Sequence, residues 1–141
     1  MIDTVVIATD GSESVRRAVE VALDFAERFD AEVHAVSVIE TSETASAPAD
    51  IRDQLHDALE RQGEEAVAEV ESRAGHSITT AVLEGRPATT ISAYAREVDA
   101  DVVATGTRGR HGENRFLIGS VAERVVRTCP VPVLTVRQLQ S

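Results

Sequence analysis

Apolar residues fall into two rhythms that alternate along the chain. Thr4 to Ala8 is a short unbroken run, Thr-Val-Val-Ile-Ala, and reads as a central parallel strand buried on both faces. Thr9-Asp10-Gly11-Ser12 breaks it. Val15, Ala18, Val19, Ala22, Leu23 and Ala26 then recur at threes and fours, which is one face of a helix, with Ser12 as its expected cap. Ala31 to Val38 alternates as a second strand, and Val38 is read as its last residue. Ile39 to Ala49 is small and polar and reads as a loop. Residues 50 to 73 carry an inner stripe of Ile51, Leu55, Leu59, Ala66, Val67 and Val70 under an outer face dense in Asp and Glu, which predicts a long helix.

The alternation continues to the end. Ser77 to Leu83 reads as a third strand, and Ala88 to Val98 as a helix with Ile91, Tyr94, Ala95 and Val98 inward. Pro87 suits the first helical turn, where no N–H is needed. Val102 to Thr105 is a fourth strand, and Ser120 to Arg127 a helix with Val121, Val125 and Val126 inward. Val131 to Val136 is the last strand. Its Pro132 cannot donate a ladder bond, which points to an edge. Strands and helices in this order predict an α/β fold with an open parallel sheet, helices on both faces, right-handed crossovers and a single domain over residues 1–141.

Composition narrows the function. Hydrophobic residues make up 43% of the chain and are mostly Val and Ala, which favours helices docked on a Val-rich sheet over an aromatic recognition surface. The 24 acidic residues outnumber 14 basic ones, all Arg, for a net charge of −10. That balance argues against nonspecific nucleic-acid binding. It suits a halophilic, high-salt interior, where repulsion is screened; simple solubility accounts for it equally. Cys129 stands alone, so no internal disulfide forms, as in a reducing compartment. No signal-like segment precedes the first strand, and no apolar run reaches ~18 residues. The expectation is a cytoplasmic protein without a membrane partner. His34 reads as a core or edge histidine. His56, in an acidic field, has too few convergent ligands for a metal.

The chemistry gathers after the fourth strand. A Gly-rich polar loop runs from Gly106 through Gly109 and Gly112 to Gly119-Ser120, where a helix opens. Glycines let backbone approach an anion and reach positive φ. Free N–H groups at a helix start face that anion, and Ser120 adds a hydroxyl. Arg108, Arg110 and Arg115 outnumber Glu113 there, in an otherwise acidic chain. The spacing is neither the Walker loop nor the dinucleotide fingerprint. A phosphate site and an ordinary strand-to-helix loop both fit. Asp10, at the end of the first strand, either bonds loop N–H groups or faces a ligand.

Gly106-x-x-Gly109, nine residues, then Gly119-Ser120, together with Ala8-Thr9-Asp10-Gly11-Ser12 and Val131-Pro132-Val133-Leu134, resembles the universal stress protein family in its nucleotide-binding branch. The resemblance implies a Rossmann-like strand order of 3-2-1-4-5, with Asp10 and Gly106 at the switch between strands one and four. It implies ATP, with Mg²⁺ or Mn²⁺. Adenine would lie by Val38 and Ala8, and ribose by Asp10. Thr9 and Thr105 flank the site. Phosphates would lie over Gly106, Arg108, Gly109 and Arg110 and over Gly119, Ser120 and Val121. Thr105 stands where the family often has Met, and Ala8 where it often has Pro, so that wall is looser. The resemblance further implies a homodimer through Val131 to Val136. No residue is an evident base for hydrolysis, so a regulatory or stress-response nucleotide binder is expected, with at most slow turnover and no catalytic residue assigned. A genuine ATPase or nucleotide-dependent switch, and a structural dimer holding a protein partner without nucleotide, are the alternatives.

Overall fold

Each of the five apolar runs forms a strand, and all pair in parallel in one sheet of order β3-β2-β1-β4-β5. The computed structural model describes residues 1–108 and 118–139, with the backbone alone for Ser42 and Glu43. The elements are β1 (Thr4–Ala8), a 3-10 turn (Glu13–Val15), α1 (Arg16–Arg28), β2 (Glu32–Glu40), α2 (Ser42–Ala45), α3 (Ala49–Ala74), β3 (Thr79–Gly85), α4 (Pro87–Glu97), β4 (Val102–Gly106), α5 (Ser120–Thr128) and β5 (Val133–Val136).

The period-two alternation of β1 divides the core. Val5 and Ile7 pack with Ala18, Val19 and Ala22 of α1 and Val67 and Val70 of α3. Val6 and Ala8 face the other way, onto Ala88, Ile91 and Ala95 of α4 and Val125 of α5. Val5, Val6 and Ile7 are wholly buried, and burying side chains of this size is worth about 1.5–3 kcal/mol each. Helices on both faces therefore hold β1 at the centre. Two helices end alike. Asp30 after α1 and Asp99 after α4 take φ of 53° and 54°, a left-handed conformation Asp tolerates. The next residues, Ala31 and Ala100, donate back to Ala26 and Ala95 at 2.8 Å. Asp101 staples the sheet at that same edge, where the strands begin, accepting from the Asp3 N–H at 2.8 Å and the Thr4 N–H at 3.0 Å.

Several sequence expectations give way. β2 does not stop at Val38 but runs to Glu40, because its partner β3 extends in register to Gly85. β5 starts at Val133, not Val131, since Pro132 brings no donor to the ladder. The stretch from Ile39 to Ala49 is partly strand and partly α2. Ser12 precedes the 3-10 turn without a side-chain cap bond. Ile51, Val121 and Val126 are 46%, 41% and 50% exposed, so the inward faces of α3 and α5 are narrower than their apolar spacing implies. His34 and Tyr94 are core groups: Nδ1 of His34 lies 2.8 Å from the Tyr94 hydroxyl, and Nε2 lies 3.5 Å from Glu32. An N–H toward Glu32 leaves Nδ1 to accept from Tyr94. Burial foremost, then Glu97 and Glu32, push the Tyr94 phenol above its ordinary range.

Candidate functional site

Parallel strands end together, so the loops after β1, β2 and β4 converge at one edge of the sheet. They enclose a cavity of about 800 Å³, within the range of small-ligand sites. Ala8, Thr9 and Asp10 line it from the end of β1, Val38 from β2, and Thr105, Gly106 and Arg108 from the end of β4. Gly119, Ser120 and Val121 close it from the start of α5. The structure thus gathers these residues from four separated stretches of sequence. Gly109 and Arg110, with Phe116 and Leu117, lie outside the described residues. Ile118 is half-buried against the cavity.

The two described glycines of the loop serve close approach rather than unusual torsion. Gly119 has φ −79° and ψ 167°, open to any residue. A Cβ there would sit 3.2 Å from the Thr107 carbonyl oxygen and 3.5 Å from the Arg108 Cα. Its N–H donates to that same carbonyl, pinching the two ends of the loop together. A Cβ on Gly106 would meet the Ser14 and Arg108 carbonyl oxygens at 3.3 and 3.4 Å. Positive φ occurs instead at Gly11 (76°) in the turn after β1 and at Gly85 (143°) before α4. At Gly85 a Cβ would fall 2.5 Å from Thr90 Oγ1. The first intrahelical bond of α5 reaches back from Glu123 to Gly119. The preceding N–H groups, of Ser120 to Ala122, lack intrahelical acceptors, and such groups at a helix start attract an anion.

Asp10 serves the loop. Its Oδ1 accepts from the Ser12 N–H at 2.9 Å, beside the Gly11 N–H bonded to Thr9 Oγ1 at 3.1 Å. A carboxylate accepts several donors, so this bond is compatible with a ligand hydroxyl. Arg124 is exposed and does not line the cavity.

Other lining residues escaped the sequence reading. Leu59, Gln62 and Gly63 of α3, Ile39 and Glu40 at the end of β2, and Glu123 of α5 all face the space. Glu123 is also paired with Arg127 at 2.6 Å. For Ile39 and Glu40 the sequence carried no signal, since the third strand was expected to end at Leu83, the partner of Val38; the extension of β3 to Gly85 carries β2 on. For α3 only a glycine in a long amphipathic helix hinted at close approach. A Cβ on Gly63 would be 2.9 Å from Val82 Cγ1 and 3.6 Å from Ser37 Oγ. His56, Asp57 and Glu60 have ligand atoms within 4.8 Å of one another, but the two ring nitrogens of His56 face different carboxylates rather than a common point.

With this geometry in place, comparison with known proteins is direct. Residues 1–137 match the model of the universal stress protein family. A universal stress protein of Methanocaldococcus jannaschii is 40% identical over 138 residues, covering 95% of this chain and 81% of that protein. A putative universal stress protein of Staphylococcus epidermidis is 36% identical, covering 94% and 82%. Among solved structures, a universal stress protein from Lactobacillus plantarum superimposes with a TM-score of 0.82 at 23% identity, covering 96% and 97%, a likeness of fold. A universal stress protein solved in complex with cAMP superimposes at 0.69 with 28% identity, each chain covered to 98%.

Proposed function

The chain belongs to the universal stress protein family, and from that premise we propose that it binds ATP in the cavity at the sheet edge and acts as a nucleotide-responsive regulator. The observation that carries this reading is the meeting of Asp10, Val38 and the Gly106–Gly119 loop ends around one cavity. Each supplies what one part of the nucleotide needs. The backbone at Val38 lies at an apolar wall fit for a base edge, and β2 continues past it, so the wall is rigid. Asp10 is an acceptor for ribose hydroxyls. The N–H groups opening α5, the glycine backbone of Gly106 and the guanidinium of Arg108 suit a polyphosphate. A structural relative described with cAMP supports an adenine nucleotide.

A divalent cation, Mg²⁺ or Mn²⁺, would accompany the triphosphate. Such hard ions need oxygen ligands, and the carboxylates of Asp10 and Glu123 on the cavity wall are of the right chemistry. Bound there, the ion would neutralise phosphate charge. Fast hydrolysis also needs a residue that orients water. We assign Asp10 and Glu123 to ribose and cation rather than to a water, so we expect slow turnover, with binding as the function.

Titration calorimetry with ATP, ADP, cAMP and tripolyphosphate, in Mg²⁺, tests the assignment. Asp10→Ala should weaken ATP about tenfold and spare tripolyphosphate. Gly119→Val should lose both, because its side chain meets the backbone that forms the phosphate cradle; its melting curve checks that the fold survives. An unmodified protein that binds none of the four would overturn the reading. Equal loss of ATP and tripolyphosphate in Asp10→Ala would reassign Asp10 to the loop or the metal.

A further inference from the structure

Helix α3 is anchored by only half its length. All its buried residues, Gly63, Ala66, Val67 and Val70, lie in the second half. In the first half Ile51 is 46% exposed, and Leu55 and Leu59 are half-buried. Yet Leu59, Gln62 and Gly63 form one wall of the cavity, with Ile39 and Glu40 of β2 also lining it. Gln62 and Gly63 belong to the anchored half, so the first half is an arm whose seating sets where Leu59 lies in that wall.

One side-chain contact ties the arm to the sheet at this rim. His56 Nε2 is bonded to Glu84 Oε1 of β3, and Glu84 pairs in register with Ile39. The other ring nitrogen, Nδ1, lies 3.8 Å from Glu60 Oε2 on the next turn of α3. A neutral imidazole can serve Glu84 through one N–H; an imidazolium donates to Glu84 and also sets a positive charge beside Glu60. The surrounding charges reinforce the point. Asp57 adjoins on α3, and Glu40 ends β2 beside Gly85, the neighbour of Glu84. Arg52, one turn earlier on the arm, donates to the Ala47 carbonyl at 3.1 Å. Without a proton on His56, Glu60 of the arm and Glu84 of the strand flank a neutral ring.

We infer that His56 is a positioning residue: its imidazolium bridges Glu60 of the α3 arm to Glu84 of β3, seats Leu59 in the cavity wall, and so tightens nucleotide binding as pH falls. The effect on the nucleotide rests on the ATP reading above; the clamp itself does not. The clamp needs the imidazolium, so it weakens as pH rises and the ring loses its proton. Solvent reaches this pair, with side chains 37% and 50% exposed, so the effect is modest, about threefold to fivefold.

Two measurements on the full chain test it. Amide hydrogen exchange of residues 49–62, expressed as protection over the intrinsic rate, should fall about threefold to fivefold from pH 5.5 to 8.0. His56→Gln should abolish that dependence, and Glu84→Gln should remove most of it. Flat protection in the unmodified protein, or an unchanged slope in His56→Gln, overturns the clamp. The ratio of unmodified to His56→Gln affinity for ATP should fall by a similar factor over the same range; the titration of ATP itself cancels in the ratio. A flat ratio beside a working clamp overturns the coupling to the nucleotide. If neither protein binds ATP, the nucleotide reading fails, and the exchange data alone decide the clamp.

Discussion

At the scale of single residues, polar groups do their work through backbone. Asp101 shows this outside the cavity. The N–H groups of Asp3 and Thr4 hold its carboxyl below the ordinary value near 3.8, because hydrogen bonds to the ionised form favour it. A depressed carboxyl stabilises the fold above its unfolded pKa and loses that contribution as pH falls through the folded value. Asp101→Asn should therefore lower Tm at pH 7, and its acid limb below about pH 4 should be flatter than that of the unmodified protein. Melts across pH 2.5–7 check this; parallel limbs would show that the staple is not ion-dependent. The sequence showed Asp101 only as a residue before a strand. Its partners, Asp3 and Thr4, lie 98 and 97 residues away. Asp10 was more legible, since the end of a first parallel strand is a ligand position by topology.

At the scale of elements, the two described glycines of the loop have a steric cause that their spacing does not show. Gly106 and Gly119 make room for the carbonyls of Ser14, Thr107 and Arg108, a requirement that torsion preferences do not reveal. Gly63 carries the same lesson into α3. In an exposed helix Gly→Ala gains about 1 kcal/mol from propensity. Here the methyl would press to 2.9 Å from Val82 Cγ1, and overpacking of this kind costs about 1–3 kcal/mol. Gly63→Ala should therefore be neutral to destabilising by about 2 kcal/mol rather than stabilising. Adding Val82→Ala should make the glycine substitution favourable in that background. A double-mutant cycle by urea unfolding reads the coupling, and additive effects would mean that α3 shifts freely off the sheet. The length of β2 belongs at this scale too. Ile39 and Glu40 look like loop in isolation, and β3 recruits them into the ladder.

At the scale of the whole molecule, charge and the sheet edge govern behaviour. Excess carboxylates over arginines, at a net charge of −10, repel one another, and salt screens that repulsion. The melting temperature should rise between ~0.1 M and ~2 M KCl, and a flat or falling Tm would dismiss the halophilic reading of the composition. β5 is an end strand of the sheet, and Val133 and Leu134 are only half-buried. An unpaired edge of this kind invites a second strand. We expect a homodimer through Val133–Val136, in which Val133→Asp weakens association by an order of magnitude or more. Light scattering that gives a monomer for the unmodified protein removes this expectation.

What the sequence determined by itself was periodicity: which runs are strands, which are helices, that they alternate, and that glycines flank a polar loop. Those properties are local, because side-chain direction repeats every two residues in a strand and every 3.6 in a helix. It determined the order of the elements along the chain, from which crossover rules permit few sheets. Only the tertiary structure decided where Val121, Val126 and Ile51 end up, because a helix buries what its neighbours reach and leaves the rest in water. Only it decided that α3 lends Leu59, Gln62 and Gly63 to the cavity and that His56 meets Glu84. Those contacts join residues separated by a turn, a strand and a packing angle, and no local rhythm encodes that distance.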